Sequence, residues 1–536
     1  MPHVGSWNLG DLFEAVAAAV PAREAVVAGE VRLSFAALDE RANRLAAVLA
    51  ERGVGPGDHV ALAMRNGNEY LEGMLGAFKL RAVPVNVNTR YTIAELRYLL
   101  DDADPKVVLH DPDLAARIDA ALAARPVAPA AIVRGEAYEA ALAAAPAQAP
   151  TVEGRSGDDR YLLYTGGTTG LPKGVVWRHE DVFYALGGGV DAYTNERVTH
   201  GMQLAEKAAA SEAPMVTLNA PPLMHGAAQW GALRFFFEGN TVVFVPKFSA
   251  EAIWDAVEKD KVSTLVITGD AMARPLTEAL EAEPDRWDLS SMFVLSSSAA
   301  IFSPTLKRRM FDLLPNIIIV DAIGSSESGM NGMVVMTKDE TISQSGGGPT
   351  VKAGRDAVVL DEDLRPLAPG TGEVGKLARG GNIPIGYYKD PKKTAETFVT
   401  APDGTRYVVA GDFARLEEDG TITLLGRGSV CINSGGEKIY PEEVEGVLKA
   451  LPSVYDTLVV GVPDDRWGQA VCAVVQARDG STPTLEELQA HAHEHLARYK
   501  APRHLVLVPE IQRSPSGKPD YPWATELARA AVGSDA

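Results

Sequence analysis

Apolar positions in this chain recur at helical spacing and in short runs, and the two patterns alternate. Residues 33–53 (LSFAALDERANRLAAVLAERG) place their apolar side chains on one helical face. HVALAMRN (59–66) is then a short apolar run, EYLEGMLGAFKLRA (69–82) is helical again, and VPVNVN (83–88) is strand-like. Strand, helix and strand in succession predict a parallel sheet flanked by helices. The rhythm returns at VVLHD, TVVFV, STLVIT, MFVLSSS and NIIIVDAIG. These β-branched runs, bounded by Gly, Pro, Ser or Asp, read as buried strands.

From about Thr341 the texture changes. Gly and Pro become dense (GGGP, APGTGEVG, RGGNIPIGYY) and the strands shorten, which predicts an antiparallel or barrel-like subdomain. After Arg427-Gly428 a fresh unit begins, with an amphipathic helix (PEEVEGVLKAL), two strand runs (TLVVGVP, AVCAVVQA), a second helix and a basic tail. The expected fold class is therefore α/β. A large N-terminal domain, 1–427, has parallel sheets with helices plus the barrel-like part, and a small, mobile α+β domain spans 428–536. Two Ala-rich stretches, 115–150 and 196–213, read as surface helices and an insertion without chemistry.

The 536 residues exceed what one core supports, so at least two domains are expected. Acidic side chains outnumber basic ones, 71 to 51, for a net charge of −20. That excludes a dedicated nucleic-acid binder, which needs a basic footprint. It does not exclude nucleotides, which are held by local backbone N–H groups and a few cations. Two cysteines, Cys431 and Cys472, rule out a disulfide scaffold and suit a reducing compartment. MPHVGSWNLG lacks a basic start followed by an apolar run, and no apolar stretch reaches roughly 18 residues. The expectation is a cytoplasmic enzyme without an integral membrane segment; a homodimer is left open.

Two motifs mislead. Gly370 to Gly375 spells G-x-G-x-x-G, but a strand pattern follows it where a dinucleotide loop needs a helix. Read as G-x-x-x-x-G-K, it is followed by Leu377, which has no hydroxyl for magnesium. His491, His493 and His495 splay around a helix, although His491 and His495 share a face; a solvated helix is the expectation.

The segment that carries chemistry is Tyr164-Thr165-Gly166-Gly167-Thr168-Thr169-Gly170-Leu171-Pro172-Lys173-Gly174, after the apolar run YLLY. Its glycines let backbone approach a polyanion, successive N–H groups and hydroxyls cradle phosphate oxygens, and Lys173 adds positive charge. The segment resembles the phosphate loop of the adenylate-forming superfamily, which contains acyl-CoA synthetases, luciferase-like enzymes and adenylation domains. Further segments of that family follow in order. They are PPLMHG (221–226), IGSSE (323–327), Gly411-Asp412, Gly426-Arg427, SGGEKIYPEEVE (434–445) and RSPSGK (513–518).

The resemblance implies ATP, Mg2+ and CoA as reagents and assigns roles. Thr165, Gly166, Gly167, Thr168, Thr169, Gly170 and Lys173 would hold phosphates. Ser298, Ala299, Ala300, Asp321, Ile323, Gly324, Ser325 and Ser326 would surround the nucleotide, with Ile323 replacing the family's aromatic. Glu327, with Thr168, would hold magnesium, since a hard cation wants oxygen donors. Asp412 would accept the ribose hydroxyls and Arg427 would add a ribose or phosphate contact. Lys518 would bridge the substrate carboxylate and the α-phosphate. Gly428 and Ser429 would form a hinge, and Ser434, Gly435, Gly436 and Glu437 a loop that swings in for the thiol step.

His225, Gly226, Ala227, Trp230 and Gly269 would line the acyl pocket. No acid follows PPLMHG to pair an amino group, which disfavours amino acids, and small apolar lining suggests a bulky hydrophobic acid. WRHEDVF, TGDAMARPL, GNIPIGYYKDPKKTAETF and RSPSGKPDY are similar to actinobacterial CoA ligases of steroid side-chain acids. The rival expectations are an acyl-adenylate enzyme using another acceptor, such as an amine, and an adenylate-binding protein without turnover.

Overall fold

The computed structural model describes residues 7–148, 150–165, 172–191, 194–339, 349–434, 437–464, 466–514 and 517–533. One of its longest helices shows how an apolar stripe and a cap act together. Helix Phe35–Glu51 buries Phe35, Leu38, Ala42, Leu45 and Leu49, spaced by three and four, and the Ser34 hydroxyl accepts the Ala37 N–H at its start. Each large apolar side chain so buried contributes about 1.5–3 kcal/mol.

Among the described residues the strands form three sheets. In the largest, six strands run parallel: Glu24–Ala28, Thr241–Phe244, Val216–Asn219, Thr264–Ile267, Val294–Ser298 and Ile318–Ser325. Helices Gly269–Ala282 and Pro304–Leu313 connect neighbouring members, and Ala250–Lys259 crosses from Thr241–Phe244 over Val216–Asn219 to Thr264–Ile267. Ile318–Ser325 then pairs antiparallel with Gly329–Met336. Through that pair the antiparallel half continues across Thr350–Ala353, Thr421–Arg427, Asp412–Leu416 and Val374–Arg379. The Gly- and Pro-rich region is thus antiparallel as expected, and it extends the parallel sheet edge to edge. The strand Val374–Arg379 follows the Gly370 and Gly372 turns, both at positive φ, so the G-x-G-x-x-G string is a strand connection.

A second sheet carries Gly386–Tyr387, Lys173–Arg178, Arg160–Thr165, Val83–Asn86, His59–Ala63, Val107–His110 and Ala130–Val133, in that order. Its last strand lies inside the Ala-rich stretch expected to be helical; Ala130–Val133 pairs in parallel with Val107–His110. The other Ala-rich stretch holds helix Met202–Ala210, which buries Leu204, Ala205 and Ala208 and is tied down by Arg23, donating to the Ala208 and Ser211 carbonyls.

The third sheet, built from residues 432–508, has cores on both faces: helices Pro441–Leu448 and Leu485–His495 on one, Tyr521–Gly533 on the other. His491 and His495 meet edge-to-face at 4.8 Å on one helix face, and the His491 ring bonds the Val447 carbonyl at 3.2 Å, a structural contact. Among the described residues no helix is long and apolar enough to cross a membrane.

Candidate active site

Ligand sites in α/β sheets form outside the carboxyl ends of parallel strands. Four adjacent strands here end together: Val216–Asn219, Thr264–Ile267, Val294–Ser298 and Ile318–Ser325, with Val266 opposite Asn219, Ile267 opposite Ser297 and Ser298 opposite Ala322. The topology therefore gathers four distant segments: 220–226, 268–270, 298–301 and 323–327. Their backbones touch. The Asp270 N–H donates to the Ile301 carbonyl at 2.8 Å, and a Cβ on Gly269 would lie 2.3 Å from that same oxygen. Gly269 also has φ +49°, so both space and conformation demand glycine. Ala299, at φ +66°, is a strained non-glycine residue at the same edge.

Glu327 is held where the two large sheets meet. Trp177, in the second sheet, donates its indole N–H to the Ser326 carbonyl at 3.0 Å. Tyr387 lies on a strand paired to Lys173–Arg178, and its hydroxyl donates to Glu327 Oε1 at 2.9 Å. Arg379 supports the next turn by donating to the Ser328 and Met330 carbonyls. Lys173 sits 5.7 Å from the centre of the same Tyr387 ring and pairs with Asp390 at 3.0 Å. Asp390 also accepts the Lys393 N–H as the cap of helix Pro391–Thr397; this bond and Lys173 hold its carboxyl below the usual range. Thr165 pairs with Lys173 across the hairpin. Gly166, Gly167, Thr168, Thr169 and Gly170 lie outside the described residues.

His225 stands at the N-cap of helix Gly226–Phe237. Burial, helped by the positive charges of Lys518 and Arg90, pushes its imidazole down to about 4, so it is neutral at physiological pH. A Cβ on Gly226 would meet Leu163 at 2.5 Å, which explains the glycine. Ala227 is exposed, whereas Trp230 is buried edge-to-face on Tyr161. Lys518 reaches this edge from the small domain. Its neighbour Gly517 rests on the 268–271 segment: a Cβ there would be 3.0 Å from the Ala271 Cβ and 3.4 Å from the Thr268 carbonyl.

The segment expected to act as a hinge lies beyond. Asp412 and Arg427 are register partners, and the Gly428 N–H donates to the Gly411 carbonyl at 3.0 Å. The side chains of Arg427 and Ser429 lie outside the described residues. Ser434 is buried and pairs with Glu437; Gly435 and Gly436 lie outside the described residues. Glu437 lines a cleft of about 1090 Å³ with Lys376, Phe413, Arg415, Tyr440 and Lys500. Lys518 and Glu437 thus meet different surfaces of the large domain.

Two expected nucleotide contacts take other partners. Asp321 is almost fully buried and pairs with Lys307 at 2.6 Å, so its carboxylate is satisfied inside the protein. Ile323 is buried against Val351, Leu377, Ala414 and Ile422, because its strand turns that face toward the antiparallel core. Sequence reasoning also missed Tyr387, Asp390, Trp177 and Arg90. The first two stand in the quoted string GNIPIGYYKDPKKT, yet nothing in the string tells which residue touches Glu327.

Three sheets with the small domain's lysine resting on the carboxyl edge of the first define the fold of the adenylate-forming enzymes. A solved structure of that shape, ATP-bound MatB from Rhodopseudomonas palustris, superimposes with a TM-score of 0.80 at 25% identity, covering 97% of this chain and 98% of that one. The chain belongs to the AMP-binding enzyme family: residues 13–388 match the AMP-binding enzyme model and 443–518 its C-terminal domain. It is 48% identical to a 3-oxocholest-4-en-26-oate–CoA ligase of Rhodococcus rhodochrous, over 97% of this chain and 95% of that protein. It is equally identical, over 98% and 97%, to a medium/long-chain-fatty-acid–CoA/3-oxocholest-4-en-26-oate–CoA ligase of Mycobacterium tuberculosis (strain ATCC 25618 / H37Rv).

Proposed function

We propose that this chain is an AMP-forming acid–CoA ligase for a bulky hydrophobic carboxylic acid, either a steroid side-chain acid or a long-chain fatty acid. The carrying observation is the arrival of Gly517-Lys518 at the edge that also gathers His225, Ser298–Ala300 and Glu327. A protein that only bound adenylate would have no use for that lysine. The relatives' named activities support the acid and the acceptor.

In the first step a carboxylate oxygen attacks the α-phosphorus of ATP, and the bond to pyrophosphate breaks. Negative charge builds on the phosphoryl oxygens, so fixed cations do most of the work. Lys518 would bridge carboxylate and α-phosphate, and Lys173 would meet the outer phosphates. Neutral His225 adds no charge that would compete for the carboxylate. Ser298, Ala300 and Ser325 would frame the base, and Asp412 the ribose. Glu327 suits magnesium, offering hard oxygen fixed by the Tyr387 hydroxyl, with Oε2 free of donors among the described residues. Bound there, the ion would neutralise charge on the phosphates. In the second step a thiolate attacks the acyl carbonyl and AMP leaves, the thiol's proton passing to solvent. A turn about Gly428-Ser429 would withdraw Lys518 and bring in the 434–437 loop. We take the domain boundary at 427/428. Two free cysteines support a reducing compartment, the cytoplasm.

The test is pyrophosphate and AMP release from ATP with steroid side-chain, fatty and aryl acids, with and without CoA. AMP release that needs CoA and favours steroid or long-chain acids is expected. Release indifferent to CoA would indicate another acceptor, and no release with any acid would indicate a binding protein.

A further inference from the structure

A polar path runs from Lys518 back into the large domain. Arg513 donates from Nη1 to the Gly517 carbonyl at 3.1 Å, and grips Asp456 with Nε and Nη2 at 2.8 and 2.9 Å. Asp456 also lies 3.3 Å from the ammonium of Lys449, just beyond helix Pro441–Leu448. That ammonium is 3.8 Å from Oδ2 of Asp270, which belongs to the other domain. Asp270 follows the strand Thr264–Ile267, in the segment on which Gly517 rests. Its Oδ1 accepts the Ser303 N–H at 2.8 Å; its Oδ2 has no hydrogen-bond donor among the described residues. One helical turn on, the guanidinium of Arg274 lies 4.5 Å over the ring of Tyr455, again across the domain contact.

The charges on the two faces complement each other. On the large-domain side Lys307 is matched by Asp321, while Asp270 and Arg274 both face the small domain, toward Lys449 and Tyr455. On the small-domain side Lys449 and Arg513 both surround Asp456. Glu445 is buried in the same cluster, and burial favours its neutral form. A buried carboxylate whose partner is withdrawn costs several kcal/mol unless water reaches it. Asp270 therefore gains its cation when the small domain docks with Lys518 at the site, and gains water when it turns away.

Resting on the function proposed above, we propose that Asp270 is a positioning residue for the first half-reaction: it draws in Lys449, and through Asp456 and Arg513 fixes the loop that aims Lys518. It touches neither substrate nor nucleotide. Asp270→Asn keeps shape and the bond to Ser303 while removing the charge. Acid-dependent pyrophosphate–ATP exchange should fall about tenfold. CoA-dependent consumption of preformed acyl-adenylate should stay within about twofold, because that step uses the turned domain. Lys449→Met should give the same split, and the double variant should be no worse than either single one. Equal losses in both half-reactions, or unchanged exchange, would overturn the proposal. Hydrogen exchange supplies a readout that needs no turnover: amides of 268–274 and of Arg513, Ser514, Gly517 and Lys518 should exchange faster in Asp270→Asn, with 35–51 unchanged. Uniform or absent change overturns the proposal. Wild-type protein inert with every acid would instead sink the ligase reading, and the exchange data would still judge this one.

Discussion

Replacing Tyr387 with Phe isolates one hydrogen bond at the centre of the site. The ring's edge-to-face contact with Phe398, at 5.8 Å, and its position beneath Lys173 survive. What goes is the hydroxyl that donates to Glu327 Oε1 at 2.9 Å. A hydrogen bond to a charged group contributes about 1.5–3 kcal/mol net. Glu327 is only half-buried, so the lower end applies, about 1.5 kcal/mol. At 1.36 kcal/mol per factor of ten, a loss of that size read in the reaction predicts roughly a tenfold fall in kcat/KM for magnesium-ATP. The assay is acid-dependent pyrophosphate–ATP exchange across a magnesium titration. Glu327→Gln, alone and combined with Tyr387→Phe, completes a double-mutant cycle whose coupling should be about 1.5 kcal/mol. If Tyr387→Phe cost as much without the Glu327 carboxylate as with it, the hydroxyl would act elsewhere and the reasoning would fail.

Gly269→Ala forces a Cβ to within 2.3 Å of the Ile301 carbonyl oxygen at positive φ. It should destabilise the protein by about 2–4 kcal/mol in urea unfolding, whereas Gly29→Ala, at φ +62° with open space around it, should cost only about 1 kcal/mol. Lys518→Ala should abolish pyrophosphate exchange yet still convert preformed acyl-adenylate in the presence of CoA; equal loss of both steps would contradict its assigned role. His225 has a folded pKa of about 4 against an ordinary 6.5, so between these values the unfolded chain takes up a proton that the folded chain refuses. Its stabilising contribution, about 3 kcal/mol at most, is complete above pH 6.5 and is lost as pH falls through 4. His225→Gln should therefore shrink the drop in urea midpoint between pH 7 and 4.5; an unchanged drop would show that other groups, such as buried His179, govern it.

Much of this was legible in the chain itself. The parallel strands carry unbroken β-branched runs because both their faces are covered, and helix Phe35–Glu51 shows its stripe at the expected spacing. Strand order was not legible. Glu24–Ala28 is the first strand but neighbours Thr241–Phe244, a pairing that depends on packing between distant segments. Ala130–Val133 was missed because a four-residue edge strand in an Ala-rich stretch carries too little signal to compete with helix propensity. Motif spacing pointed to Glu327, Lys173 and Lys518; the fold sets the first two at the Tyr387 side chain and rests Gly517, the neighbour of Lys518, on the 268–271 segment. Spacing did not show that Asp321 pairs with Lys307 or that Ile323 packs into the antiparallel core, because a motif gives position along a strand and not which face of the sheet is covered. It did not point to Tyr387 or Asp270, which meet Glu327 and Lys449 across two sheets and two domains.

The single sheet that joins the parallel and antiparallel halves has a mechanical consequence. Thr421–Arg427, the strand that runs into the proposed hinge, lies three strand spacings from Ile318–Ser325, on a path through Thr350–Ala353 and Gly329–Met336. At about 4.8 Å per spacing, that is roughly 14 Å of laterally hydrogen-bonded backbone. The proposed pivot and the strand ends that gather Ser298–Ala300 and Glu327 are thus parts of one hydrogen-bonded plate. A lever swinging on such an anchorage transmits little torsion to what lies beyond it. The adenylate could then stay in register on the floor while the tool working above it is exchanged.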